Sequence, residues 1–168
     1  MKAERIAIRT RGILRFTVLV WAVAAACTRI AAAENLVANP SFEAVGADGR
    51  TPEAWTAAGN RSVRQELAPD AGTDGRRCAR LRCTEFAGSG PDVHAMICQT
   101  GRISVRAGRW YRLAFRARGA GIRGGSVEIA LTNTRPWENA GLAEGFVADD
   151  EWKPFEFAFQ ATDRKSVV

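Results

Sequence analysis

Residues 110–118 read WYRLAFRAR and residues 153–160 read KPFEFAFQ, and both alternate between apolar and polar. Tyr111, Leu113, Phe115 and Ala117 share one parity, with Arg112, Arg116 and Arg118 on the other. Phe155, Phe157 and Phe159 likewise oppose Glu156 and Gln160, and Val127, Ile129 and Leu131 oppose Ser126, Glu128 and Thr132. A period of two belongs to a strand with one buried and one wet face, the usual state of antiparallel sheets. No helical period of useful length appears between Glu34 and Thr162. Shorter runs surround these three: Leu36-Val37, Ser41–Glu43, a run opened by Trp55, Cys78–Thr84, Val93–Gln99 and Ile103–Val105. Gly, Pro, Asp and Asn punctuate them, notably at Pro69–Gly75, Gly88–Pro91 and Ala107-Gly108. The pattern predicts an all-β protein, an antiparallel β-sandwich of jelly-roll type, with no internal repeat and no low-complexity linker.

Length and charge narrow the function. The 168 residues suit one domain, and 46% hydrophobic with 25% charged residues is a globular composition. The net charge of +6 suggests a polyanion partner until it is located. Residues 1–33 hold six basic side chains against Glu4, and the last six residues hold Arg164 and Lys165 against Asp163. Residues 34–162 carry sixteen basic and sixteen acidic side chains, so the body is neutral. Nucleic-acid binding loses its support, because it rests on an excess or a stripe of cations.

Both ends read as foreign to the folded body. A basic leader, the apolar run Phe16–Ala26 and the small residues Ala31-Ala32-Ala33 make a secretory signal, with cleavage expected after Ala33. Eleven apolar residues fall short of the roughly 20 a membrane span needs, so no membrane association is expected once the signal is cleaved. The protein is thus expected to be secreted or periplasmic. Lipidation at Cys27 is disfavoured, since Ala24 stands where a larger aliphatic residue is usual. The ending DRKSVV resembles the translation of a sequencing adapter. On that reading residues 163–168 are an artefact and the natural chain continues past Thr162; the other reading is an ordinary frayed terminus.

Signal removal leaves Cys78, Cys83 and Cys98 in an oxidising compartment, an odd number that permits at most one internal bridge. Cys78 and Cys83, five apart on one strand, face opposite sides. A turn at Gly88–Pro91 would set Cys83 opposite about Met96, which makes Cys83–Cys98 the expected pair, given a small register shift. The alternative is that all three are small buried apolar side chains. Their spacing and the single His94 offer no zinc site.

The opening NLVANPSFE, followed by a Gly/Asp loop and Trp55, resembles the start of carbohydrate-binding modules of families 4 and 9, the cenC type. ISVRAGRWYRLAFRARG resembles that family's central pair of strands, and DDEWKPFEFAFQAT its late strand of a Trp followed by alternating Phe. Together these cover about residues 35–162. The resemblance implies a galactose-binding-like jelly roll that binds a polysaccharide or oligosaccharide without cutting it, usually attached to a secreted glycoside hydrolase, with the complete domain a monomer. The family normally closes with a further apolar strand and a strand carrying an aspartate, and both are absent here. The fold is therefore expected with its closing strands missing. The resemblance also makes Glu43 a ligand of a structural calcium ion. Without the late aspartate that site is incomplete, since calcium takes six to eight oxygens.

Sugar recognition needs flat apolar surface for pyranose C–H faces and planar polar groups for hydroxyls. Trp137, in the polar stretch Thr134–Asn139, is either a sugar platform or a lid over the core. Arg112, Arg116 and Glu128, on polar strand faces, either line a cleft or keep that face wet. Trp55, Trp110 and Trp152 are expected in or beside the core. An enzyme would need two facing carboxylates, and nothing marks a pair among Glu128, Glu138 and Glu144; no HExxH, P-loop or Ser-His-Asp arrangement stands out either. The alternative to a binding module is an extracellular structural or adhesion domain. N-terminal sequencing of the exported protein should read Glu34 first; a lipid-bearing start at Cys27 would overturn the signal reading.

Overall fold

The computed structural model describes residues 34–88, 90, 93–122, 126–135 and 137–162. The expected signal, with Cys27, and the DRKSVV ending lie outside the described residues. Every regular element among the described residues is a strand: β1 (Thr56–Gly59), β2 (Val63–Ala71), β3 (Arg77–Phe86), β4 (Ala95–Cys98), β5 (Trp110–Ala117), β6 (Val127–Thr132), β7 (Asn139–Phe146) and β8 (Lys153–Gln160). All pairing between them is antiparallel. The all-β expectation from alternation is met.

The strands form nested pairs. In the first half β2 pairs with β3 and β1 with β4; in the second β6 pairs with β7 and β5 with β8. No ladder extends beyond two strands among the described residues. The second half is a small sandwich, because the apolar faces of its two ladders share one core. Leu131, Ala140 and Leu142 from β6·β7 are buried there with Val105 and Ala161, and Tyr111, Leu113, Phe157 and Phe159 from β5·β8 pack against them. Just past β8, Ala161 donates to the Arg109 carbonyl and Thr162 to that of Ala140 (2.9 and 3.1 Å), so this end of the chain ties β5 to β7.

Alternation decides which side chains enter. In β5 the odd positions Tyr111 to Ala117 are half-buried and the even ones exposed, and β8 repeats this with Phe155, Phe157 and Phe159. The Tyr111 hydroxyl accepts the Arg106 N–H at 2.8 Å while its ring stacks 5.8 Å from Phe159, which fixes the turn through Gly108. From Phe157, which touches this core, an aromatic cluster runs on to Phe115, Phe146 and Phe155, with Phe146 and Phe155 only 4.6 Å apart between ring centroids. None of the four is fully buried, so this end of the apolar face is only partly covered.

Three local expectations are corrected. Leu36-Val37, Ser41–Glu43 and Ile103–Val105 form no named strand; they are loops that deliver Phe42 onto Trp55 (5.0 Å), Val105 into the core and Leu36 and Ile103 against it. Pro69 lies inside β2, opposite Ala79, a place Pro can take because an unpaired strand edge needs no N–H there. β7 was not legible in NAGLAEGF, which is rich in Gly and Ala; it forms because Ala140 and Leu142 alternate into the core and its backbone pairs with β6.

Gly141 makes β7 possible. Its φ of 117° is a glycine conformation, and a Cβ there would run into the Gln160 carbonyl at the end of β8. The Asn139 side chain brackets it, accepting the Gly141 N–H (2.6 Å) and donating to the Leu142 carbonyl (2.8 Å). Gly141→Ala should therefore cost about 3 kcal/mol or more of stability. Gly145→Ala, in the same strand with nothing within 4 Å of the added carbon, should cost under about 1 kcal/mol. Urea unfolding of both variants measures the difference.

Candidate functional site

The outer face of β5·β8 gathers the groups that sugar chemistry calls for. Register places Trp110 opposite Gln160, Arg112 opposite Ala158, Ala114 opposite Glu156 and Arg116 opposite Pro154. These all share the exposed parity. One step beyond the last pair, Arg118 meets Trp152, its guanidinium carbon 5.2 Å from the ring centroid in a cation–π contact. The face is thus a stripe with an indole near each end and Arg112, Arg116 and Glu156 set among Ala114, Pro154 and Ala158 between them.

Its polar groups are held in place. Arg112 Nη1 lies 3.4 Å from Glu156 Oε2, an exposed pair that orients both side chains and adds little stability. Arg116 Nη2 donates to the Trp152 carbonyl at 3.2 Å, and Gln160 Nε2 to the Gly108 carbonyl at 2.9 Å. Between Arg116 and Glu156 the short side chains of Ala114 and Pro154 leave a shallow hollow open to solvent. At about 3.4 Å per residue the stripe from Trp110 to Arg118 runs roughly 27 Å, about five sugar units of an extended chain.

Trp110 is 70% exposed, which corrects the expectation of a core residue. The signal was present in the sequence: Trp110 shares parity with Arg112, so inward Tyr111 and Leu113 force the indole outward. Trp55 does pack, its Nε1 donating to the Asn39 carbonyl at 3.2 Å beneath Phe42, and Trp152 is half-buried under Arg118. Trp137, at φ 72° in the β6–β7 loop, is 61% exposed and therefore no lid over the core. Glu128 is exposed on β6 opposite Gly145. The structure brings Arg112 and Arg116 together on one ladder, and places Glu128 on the other and Trp137 in a loop. Glu144 stands opposite Ile129 and Glu128 opposite Gly145, so these two carboxylates belong to opposite faces of β6·β7.

The disulfide expectation is corrected, and Glu43 takes a structural part. Glu43 Oε1 accepts the Arg77 N–H at 2.9 Å, which makes it a clasp between the N-terminal loop and β3. Among the described residues no group of three or more His, Cys, Asp or Glu side chains could hold a metal. Cys78, Cys83 and Cys98 are free thiols. The expected Cys83–Cys98 bridge is not formed, because no hairpin joins β3 to β4. Cys83 stands opposite Gln65 on β2 and Cys98 opposite Thr56 on β1, and the two thiols contact the Glu85 carbonyl and the Thr56 hydroxyl. Burial pushes the Cys78 thiol above its usual range, with Asp70 adding to the effect.

Neither family models nor curated proteins contain a match to this chain. The chemistry of the face must therefore carry any reading of function.

Thiol accessibility tests the pairing pattern. Under native conditions at pH 8 the exposed Cys83 should react with a maleimide faster than Cys78, whose burial disfavours the thiolate. A bridged Cys83, silent until reduced, would mean that β3 lies against β4 after all.

Proposed function

We propose that the outer face of β5·β8 binds polysaccharide and that the chain is an exported, non-catalytic carbohydrate-binding module of the kind appended to glycoside hydrolases. The observation that carries this reading is Trp110, a large indole left 70% exposed in line with Arg112, Glu156 and Gln160. An exposed indole on a flat strand face is a poor use of apolar surface unless something stacks on it. Planar guanidinium, carboxylate and amide groups beside it match the paired hydroxyls of a pyranose. Export rests on the leader and its Ala31–Ala33 site.

Trp137, exposed in the β6–β7 loop, is a second candidate platform, whereas Glu128 stands on the outer parity of β6, away from the stripe. The second reading, an extracellular structural or adhesion domain, draws on the half-covered cluster of Phe115, Phe146, Phe155 and Phe157, which offers apolar surface to another protein.

Affinity electrophoresis in gels containing soluble glucan, xylan, galactan or polyuronate separates the readings. Trp110→Ala should weaken retention about tenfold or more, as the loss of a stacking anchor does, and Trp137→Ala should weaken it less. A larger loss with Trp137→Ala would move the site to the β6–β7 loop. No retention on any glycan would favour the adhesion domain.

A further inference from the structure

We infer that the polysaccharide taken by this face is a polyuronate, with a sugar carboxylate received at the end formed by Arg116, Arg118 and Trp152; the inference rests on the carbohydrate reading above. It comes from how charge is distributed along the stripe. Glu156 is the stripe's carboxylate, and it is drawn to Arg112 at 3.4 Å. Arg116 faces Pro154 across the ladder and donates to a neutral carbonyl, while Arg118 lies on an indole. Among the described residues neither Arg116 nor Arg118 makes an ion pair with a carboxylate. Two guanidinium groups thus share one end of a flat face with no contacting anion.

The nearest acidic residues in sequence serve another cation. Asp149 pairs with Lys153, and the charges of Asp149, Glu151 and Asp150 together hold that ammonium above its usual range, the Asp149 hydrogen bond first. Lys153 stands opposite Ala117, on the other parity of the ladder from Arg116. The acidic loop therefore answers Lys153 and leaves the two arginines open to a ligand.

A neutral glycan gives such a pair nothing that a single hydroxyl-binding group would not. A carboxylate does: it is planar, and a guanidinium grips it with two parallel N–H donors, an interaction about twice as strong as a neutral hydrogen bond. The shallow hollow lined by Ala114 and Pro154 gives such a group room beside Arg116. Glu156, on the far side of that hollow, repels a second anion at mid-face and so directs the carboxylate toward Arg116 and Arg118.

The test compares one backbone with and without its charge. Retention of the wild-type chain should be about tenfold stronger on polygalacturonate than on the same polymer fully methyl-esterified. Arg116→Gln should remove that difference; Arg116→Lys, which keeps the charge and loses the fork, should recover only part of it. Arg64→Gln, which removes the same charge from β2, should change neither. Thermal melting of each variant establishes that the fold is intact. Equal retention on acid and ester, or a preference untouched by Arg116→Gln, would overturn the polyuronate inference and leave carbohydrate binding standing. Absence of retention on every polymer, neutral or acidic, would overturn both.

Discussion

The eight backbone pairs between Trp110–Ala117 and Lys153–Gln160 are the constraint on which the second half of the molecule depends. Because side chains alternate across a strand, this one register places Tyr111, Leu113, Phe115, Phe155, Phe157 and Phe159 inward and Trp110, Arg112, Arg116 and Glu156 outward. The inner face gives β6·β7 something to pack against, and the outer face becomes the candidate binding stripe. A slip of β8 by one residue against β5 would turn Phe155, Phe157 and Phe159 to the face of Arg112 and Arg116 and bring Glu156 to the core side. The register is thus a condition of the core and of the site at once.

Around that ladder the fold is held by a few well-placed polar clasps as much as by apolar area. Asn39 donates to the carbonyls of Ala44 and Glu53 and accepts the Ala44 N–H, so one amide ties two loops. Gln99, 2% exposed, brackets Ala38 through both its donor and its acceptor at 2.6 and 3.2 Å. Asp48 closes its turn by accepting from the N–H groups of Arg50 and Thr51, which holds its carboxyl below the usual range. Such side chains supply the partners that irregular backbone would otherwise lack, which is how a chain with long loops and two-stranded ladders satisfies its polar groups.

The three motif stretches of the sequence play different parts in the molecule. The motif around Asn39–Glu43 is structural here: Asn39 ties loops, Phe42 stacks on Trp55, and Glu43 clasps β3. The groups with chemistry to offer a ligand lie on β5 and β8, in stretches whose motif value is simple alternation. Arg112 and Arg116 were identified as candidates for that reason. Trp110 faces outward despite its size, because position in the strand decides where a side chain points.

What the sequence determined by itself was local: the strand class, the inward sets Tyr111–Leu113–Phe115, Val127–Ile129–Leu131 and Phe155–Phe157–Phe159, and the neutrality of residues 34–162. Each follows from a period of two or from counting charges, and neither requires knowing which strand lies beside which. Partnership was decided only by the tertiary structure. That β3 takes β2 and not β4 separates Cys83 from Cys98, and that β8 crosses back to β5 sets Gln160 beside Trp110 and Glu156 beside Arg112. Alternation tells a strand which face to bury but says nothing of its neighbour. That choice depends on how all the apolar faces can be covered together, a property of the whole chain.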